Sequence, residues 1–151
     1  MKTLSHPTCL AILLCLVLGF SLLRSNPADL APRYQALAQK SLDNKDYPTA
    51  LVASLRLMGF GDQYRNDALF KLAQAKIGVG QTADASNILE MVAPIDKQVY
   101  APAHLYVARA LIASAGQSRR TEEMIVAQLR NVLALQPDSV EAKDLLARFQ
   151  K

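Results

Sequence analysis

One stretch limits the possible folds more than any other: Asn66–Val92, NDALFKLAQAKIGVGQTADASNILEMV. Leu69, Leu72, Ala73 and Ile77 recur at helical spacing, so the first half of the stretch carries one apolar stripe. Gly78-Val79-Gly80 interrupts it, because a glycine inside a helix costs about 1 kcal/mol against alanine. Ala85, Ile88, Leu89 and Val92 restart the stripe on a second helix. Neither helix can hide its apolar face alone, so the two must fold together and still need neighbours. The chain supplies them at a fixed interval. Ala38 to Ala73 and Ala73 to Ala108 are both 35-residue steps, and Ala50 to Ala85 is another. A period of that length is the mark of stacked helical hairpins.

Size and composition agree with that reading. A chain of 151 residues suits one domain with a shared core. Leu and Ala dominate, Trp is absent, and no alternating run of β-branched residues marks a strand, so the expected class is all-α. The formal charge of +4 comes from acids and bases that are interspersed rather than blocked, which describes a solvated surface more than a polyanion-binding one. Both cysteines, Cys9 and Cys15, lie in the N-terminal apolar run. The remainder therefore has no thiol for a disulfide, a zinc site or a nucleophile.

That run, Cys9–Leu23, reads CLAILLCLVLGFSLL, with Lys2 before it and Arg24 after. Fifteen helical residues span roughly 22 Å, short of the roughly 30 Å hydrocarbon core but long enough for the apolar centre of a signal peptide. No good small-x-small cleavage site follows it, so residues 1–24 are read as either a signal peptide or a retained membrane anchor. Basic residues on both flanks make the orientation a balance, and the expected location of the helical domain is the extracytoplasmic (periplasmic) side. Residues 25–30 read as a linker, the helical domain as 31–151.

Within that domain the hairpins fall at about 31–65, 66–100 and 101–139, with a cap at 140–150. Pro32 suits a first helical turn, where its missing N–H is no loss. Asn44-Lys45-Asp46 makes the first turn, Tyr47, Ala50 and Leu57 face inward, and Gly59-Phe60-Gly61 is expected to end that helix in a left-handed cap. Pro94 closes the middle hairpin and Pro102 opens the third. Ser114–Arg120 is a turn about five residues longer than its counterparts, followed by a helix over Glu122–Leu135 with Ile125, Leu129, Val132, Leu133 and Leu135 inward. Pro137-Asp138-Ser139 stops it and starts the last helix, Val140–Gln150, whose Glu141, Lys143, Asp144 and Arg148 suit the polar outside of a cap.

Small residues at Ala38, Ala73, Ala108 and Ala147, with Ala50 and Ala85 in the returning helices and LRNVLALQPDSVEA over Leu129–Ala142, make the chain resemble the tetratricopeptide repeat family. The likeness covers about Ala31–Lys151. Departures are Ile125 at the third returning-helix alanine, Asp62 and Lys97 where proline is usual, and the missing glycine beside the small residue of the first helix. The resemblance implies an α-solenoid of three helix-turn-helix repeats plus a C-terminal capping helix, preceded by an N-terminal hydrophobic helix. It assigns Ala38, Ala50, Ala73, Ala85, Ala108 and Pro137 to repeat packing. It also implies a non-enzymatic scaffold or adaptor that takes a partner peptide or helix in a concave groove. Carried across, the groove positions are Gln35, Gln39 and Asp43; Phe70, Gln74 and Ile77; and Leu105, Arg109 and Ile112. This mixture suits a partly apolar extended peptide or helix. The expected partners are other proteins, and the membrane if the N-terminal segment is retained. A helical hairpin of 35 residues also describes the pentatricopeptide family, which reads single-stranded RNA one base per repeat. The Pro137-Asp138 junction and the small residues favour the protein-binding reading, so nucleic acid is not the expected partner.

Catalytic chemistry has little to draw on. His104 lies on the packing stripe, at the place of Tyr34 and Leu69, and reads as a structural imidazole. No second histidine or cysteine of the helical region can complete a triad or a metal site with it. Glu122 and Glu123 are neighbours about 100° apart on a helix, poor geometry for a cooperating pair. Gly78-Val79-Gly80 is too short for a phosphate loop. Neither an enzyme, a cofactor nor a metal is expected.

Overall fold

A computed structural model of the chain describes residues 27–113 and 118–149. They form α1 (Pro27–Asp43), α2 (Tyr47–Met58), α3 (Asp62–Gly78), α4 (Thr82–Val92), α5 (Ala101–Ala113), α6 (Arg119–Leu135) and α7 (Val140–Ala147), with no strand among them. The N-terminal run, read as leader or anchor, lies outside these residues. No described helix is long and apolar enough to cross a membrane. Each helix packs on the next in sequence, and α1 also packs on α3.

The alanines expected to pack the repeats are shielded from solvent, with one exception. Ala38, Ala73 and Ala108 are fully buried, as are Ala50 and Ala85, and Ile125 is nearly so. Leu57, Val92 and Val132 fill a second buried position on α2, α4 and α6. A methyl group at these places lets backbones come together where a larger side chain would hold them apart. Ala147 differs. It is exposed, because no described helix follows α7 to cover it, and the buried residues of that helix are Ala142 and Leu146. Leu135, expected to face inward, is 39% exposed at the C-terminus of α6, where the chain is already turning toward α7. Pro137 is exposed in that turn and ends the helix rather than packing.

Two turns share one geometry, 35 residues apart. After α1, the Lys45 N–H bonds to Leu42 O at 3.0 Å and the Asp46 N–H to Ser41 O at 2.8 Å; after α3, Gly80 bonds to Ile77 O at 3.0 Å and Gln81 to Lys76 O at 2.8 Å. The residue that reverses the chain has φ +59° at Lys45 and φ +83° at Gly80. Such a pattern satisfies the last carbonyls of a helix and demands a left-handed residue. Gly59, by contrast, is right-handed with φ −72°, and the left-handed residue of that turn is Gly61, at φ +118°, which begins α3 rather than capping α2.

Several helices start earlier than their sequence signals. α1 begins at Pro27, inside the stretch read as a linker, so Pro32 lies within the helix rather than at its first turn. α3 begins at Asp62. α6 begins at Arg119 because Ser118 Oγ accepts from the Thr121 N–H at 3.2 Å and so caps the helix. α7 ends at Ala147, three residues short of the expected Gln150.

Candidate functional site

The leading helices α1, α3, α5 and α7 are joined edge to edge by polar and aromatic contacts. Gln35 Nε2 donates to Asp67 Oδ2 at 2.8 Å, tying α1 to α3. The Phe70 ring of α3 meets Tyr106 of α5 edge-on, with centroids 5.6 Å apart and planes at 76°. Arg109 of α5 clasps Glu141 of α7 through both Nε (2.7 Å to Oε1) and Nη2 (2.5 Å to Oε2). Such a fork-on-carboxylate pair fixes orientation even where solvent screens its energy.

This frame places the predicted groove residues in two groups. Gln39 is exposed and bonded to Asp43 Oδ1 at 2.9 Å, one turn along α1. Gln74 and Ile77 are half-buried on α3. These four leave atoms available to a visitor. The other five are engaged within the fold. Gln35 and Arg109 hold the contacts just described. Phe70 also packs on Tyr100 at 5.8 Å and on the apolar cluster around Leu69, Val92 and Ala103. Leu105 and Ile112 lie against the core formed by Ile125, Leu129 and Val132.

Sequence reasoning missed the hub of the frame. Asp67 Oδ1 accepts from the Tyr100 hydroxyl at 2.9 Å and from buried Lys71, while Oδ2 takes Gln35. A lysine ammonium with only 8% of its side chain exposed requires a carboxylate partner, and the i, i+4 spacing of Asp67 and Lys71 was the available clue. The Tyr100 hydroxyl is pushed well above its ordinary acidity range, first by burial, then by the Asp67 charge and its hydrogen bond. Burial also raises Tyr106.

Between α4 and α5 runs an eight-residue strap, 93–100, where the other described turns take three or four residues. Side chains, not helix, take up its backbone. Gln128 Nε2 donates to Ala93 O at 3.1 Å, Asn131 Nδ2 donates to Ile95 O at 3.0 Å, and the Val99 N–H donates to His104 Nε2 at 3.3 Å. Since Nε2 accepts, the imidazole proton sits on Nδ1 and is donated to Gln128 Oε1 at 2.5 Å. His104 is fully buried with both ring nitrogens engaged, a structural imidazole as expected. Pro102 alone does not force the strap, because Pro32 occupies the same register in α1 and is carried inside that helix. The three polar side chains are the difference.

Above the strap lies a cleft of about 320 Å³, lined by Ser86, Leu89 and Glu90 of α4, Pro94, Val107 of α5 and Met124 of α6. It belongs to the side of the returning helices and includes none of the predicted groove residues. No cluster of His, Cys, Asp and Glu among the described residues has a metal-holding arrangement. No family model, curated protein or solved structure matches the chain.

Proposed function

We propose that the chain is an α-solenoid of three tetratricopeptide-like hairpins with a capping helix, and that it works without catalysis by holding a segment of another protein against the face of its leading helices. The observation that carries this is the edge-to-edge layer of α1, α3, α5 and α7. Gln35–Asp67, Phe70–Tyr106 and Arg109–Glu141 link successive members at sequence separations of about one hairpin. Shallow faces made from parallel rows of helices take extended or helical peptides, with side-chain pockets giving selectivity. On that face Gln39, Asp43, Gln74 and Ile77 present amide, carboxylate and aliphatic chemistry to a peptide carrying both backbone polar groups and apolar side chains. The N-terminal apolar run sets the location, as leader or anchor, with the helical domain on the extracytoplasmic side.

Site-specific photocrosslinking in the native host tests the reading. A benzoylphenylalanine at Gln39 or Gln74 should give discrete adducts, and one at Asn87, on the outside of α4, should not. Adducts from Asn87 alone would move the binding face to the returning helices.

A further inference from the structure

The outer faces of the returning helices are not alike. At the outward positions α4 presents Ala83, Asn87 and Glu90, and α6 presents Glu123, Ala127 and Arg130. The corresponding residues of α2 are Pro48, Val52 and Leu55, with Val52 59% and Leu55 52% exposed. Among the returning helices, α2 carries two such side chains one turn apart, whereas Met91 of α4, 56% exposed, and Leu135 of α6 stand singly, as exposed apolar residues normally do.

The position of this face points to its occupant. Ala31 of α1 packs in one cluster with Leu57 and Met58 of α2, so the C-terminal end of α2, where Leu55 lies, stands at the same end of the hairpin as the beginning of α1. Three residues, Arg24, Ser25 and Asn26, separate Leu23, the end of the apolar run, from Pro27, the first residue of α1, so the four chain steps reach at most about 14 Å. A chain whose run enters a bilayer therefore holds this end of the first hairpin at headgroup depth. The charges suit that depth. Arg33 and Arg56 are exposed at the same end, with no carboxylate in ion-pair range among the described residues, and Arg24 precedes them; Asp62 there is paired with Arg65 at 3.9 Å, and Asp29 is the other acid. The carboxylates Asp43 and Asp46 fall at the far turn of the hairpin. Apolar side chains flanked by arginine are the chemistry of a helix lying in the interface of an anionic membrane.

We infer that the outer face of α2, through Val52 and Leu55, with Arg56 one turn on from Val52 and Arg33 at the same end of the hairpin, lies on the lipid surface that the N-terminal run enters. This rests on the reading of that run as membrane-entering. The absence of tryptophan makes the test direct. Full-length Val52→Trp and, at the far end of the array, Val140→Trp are reconstituted with vesicles of equal parts phosphatidylcholine and phosphatidylglycerol carrying bromine on their acyl chains. Emission from Val52→Trp should be roughly halved against unbrominated vesicles, while Val140→Trp is unchanged. A vesicle-bound chain in which neither tryptophan is quenched, or both are, overturns the inference and leaves the anchor standing. A blue-shifted but unquenched Val52→Trp overturns it in favour of a protein cover, such as a second copy. A chain that does not float with vesicles overturns the membrane reading of the N-terminal run, and this inference with it.

Discussion

Gly78 is the last residue of α3, and a β-carbon built there would meet the Tyr47 ring at its inner carbons, Cγ and Cδ1 included. The phenol of α2 lies flat on the helix end only because position 78 is bare. Replacing a helical glycine by alanine ordinarily stabilises by up to about 1 kcal/mol, whereas an overpacked contact costs about 1–3 kcal/mol. Gly78→Ala should therefore lower stability, and in a Tyr47→Ala background the same change should raise it; urea midpoints of the four variants expose the reversal of sign. Tyr100 gives a second prediction. Its folded-state acidity is weakened relative to the ordinary value of 10.0, so above that pH the unfolded chain sheds a proton the folded chain keeps. Stability is complete below 10.0 and falls as pH rises past it. Tyr100→Phe should be less stable at neutral pH, having lost the bond to Asp67, but should decline less steeply in alkali, as denaturation midpoints measured across that range would record. Neither the Tyr47–Gly78 contact nor the arms of the Asp67 hub that reach Gln35 and Tyr100 were legible in the sequence. Both join residues about 31 to 33 apart, and periodicity reports which faces are apolar, not which polar atoms meet across them.

At the scale of the element, helix existence was legible and helix starts were not. Apolar stripes located all seven of the described helices, since burial of one face in each turn is what the stripe encodes. The starts of α3 and α6 fell earlier because polar residues dominate their first turns, Asp62–Arg65 and Arg119–Glu122, and carry no stripe to read, whereas the start of α1 was hidden by Pro27 and Pro32, which read as a linker. The turn after α1 shows a local disagreement between residue and conformation. Lys45 takes the left-handed backbone that Gly80 takes in the next hairpin. A side chain there costs about 1–2 kcal/mol, partly offset by the greater chain entropy that glycine brings to the unfolded state. Lys45→Gly should therefore raise the thermal midpoint, by an amount corresponding to about 0.5–1 kcal/mol, and Gly80→Ala should lower it by a similar amount.

For the whole molecule, the decisive feature is where packing thins. The helices α5, α6 and α7 share a core of Ala108, Ile125, Leu129, Val132, Ala142 and Leu146, while Ala31, Leu57 and Ala68 belong to another near the beginning. Between them stand the strap, the cleft and the cluster around Leu69, Val92 and Ala103. Arrays of hairpins are stabilised by neighbour contacts, so they can open at their weakest joint. Leu129→Ala should cost about 2–5 kcal/mol and act on α5–α7 alone. Hydrogen exchange should accelerate across those three helices while α1–α3 keep their protection; uniform acceleration would show that the joint transmits the damage. The limits of the strap were legible, since Pro94 closes the middle hairpin and Pro102 opens the third, but what holds its backbone was not. Its 35-residue register is intact, and the meeting of Gln128, Asn131 and His104 with its backbone takes up the groups that a helix would otherwise satisfy.

The flat seating of Tyr47 on Gly78 also imposes an order on change. A lineage that acquired a side chain at 78 while the ring remained would pass through a strained intermediate, whereas one that first shed the ring would leave a shallow pit that the next replacement could fill. Drift between those two positions is therefore one-way, tyrosine departing before glycine, and chains that carry any residue but glycine there should have lost the ring already.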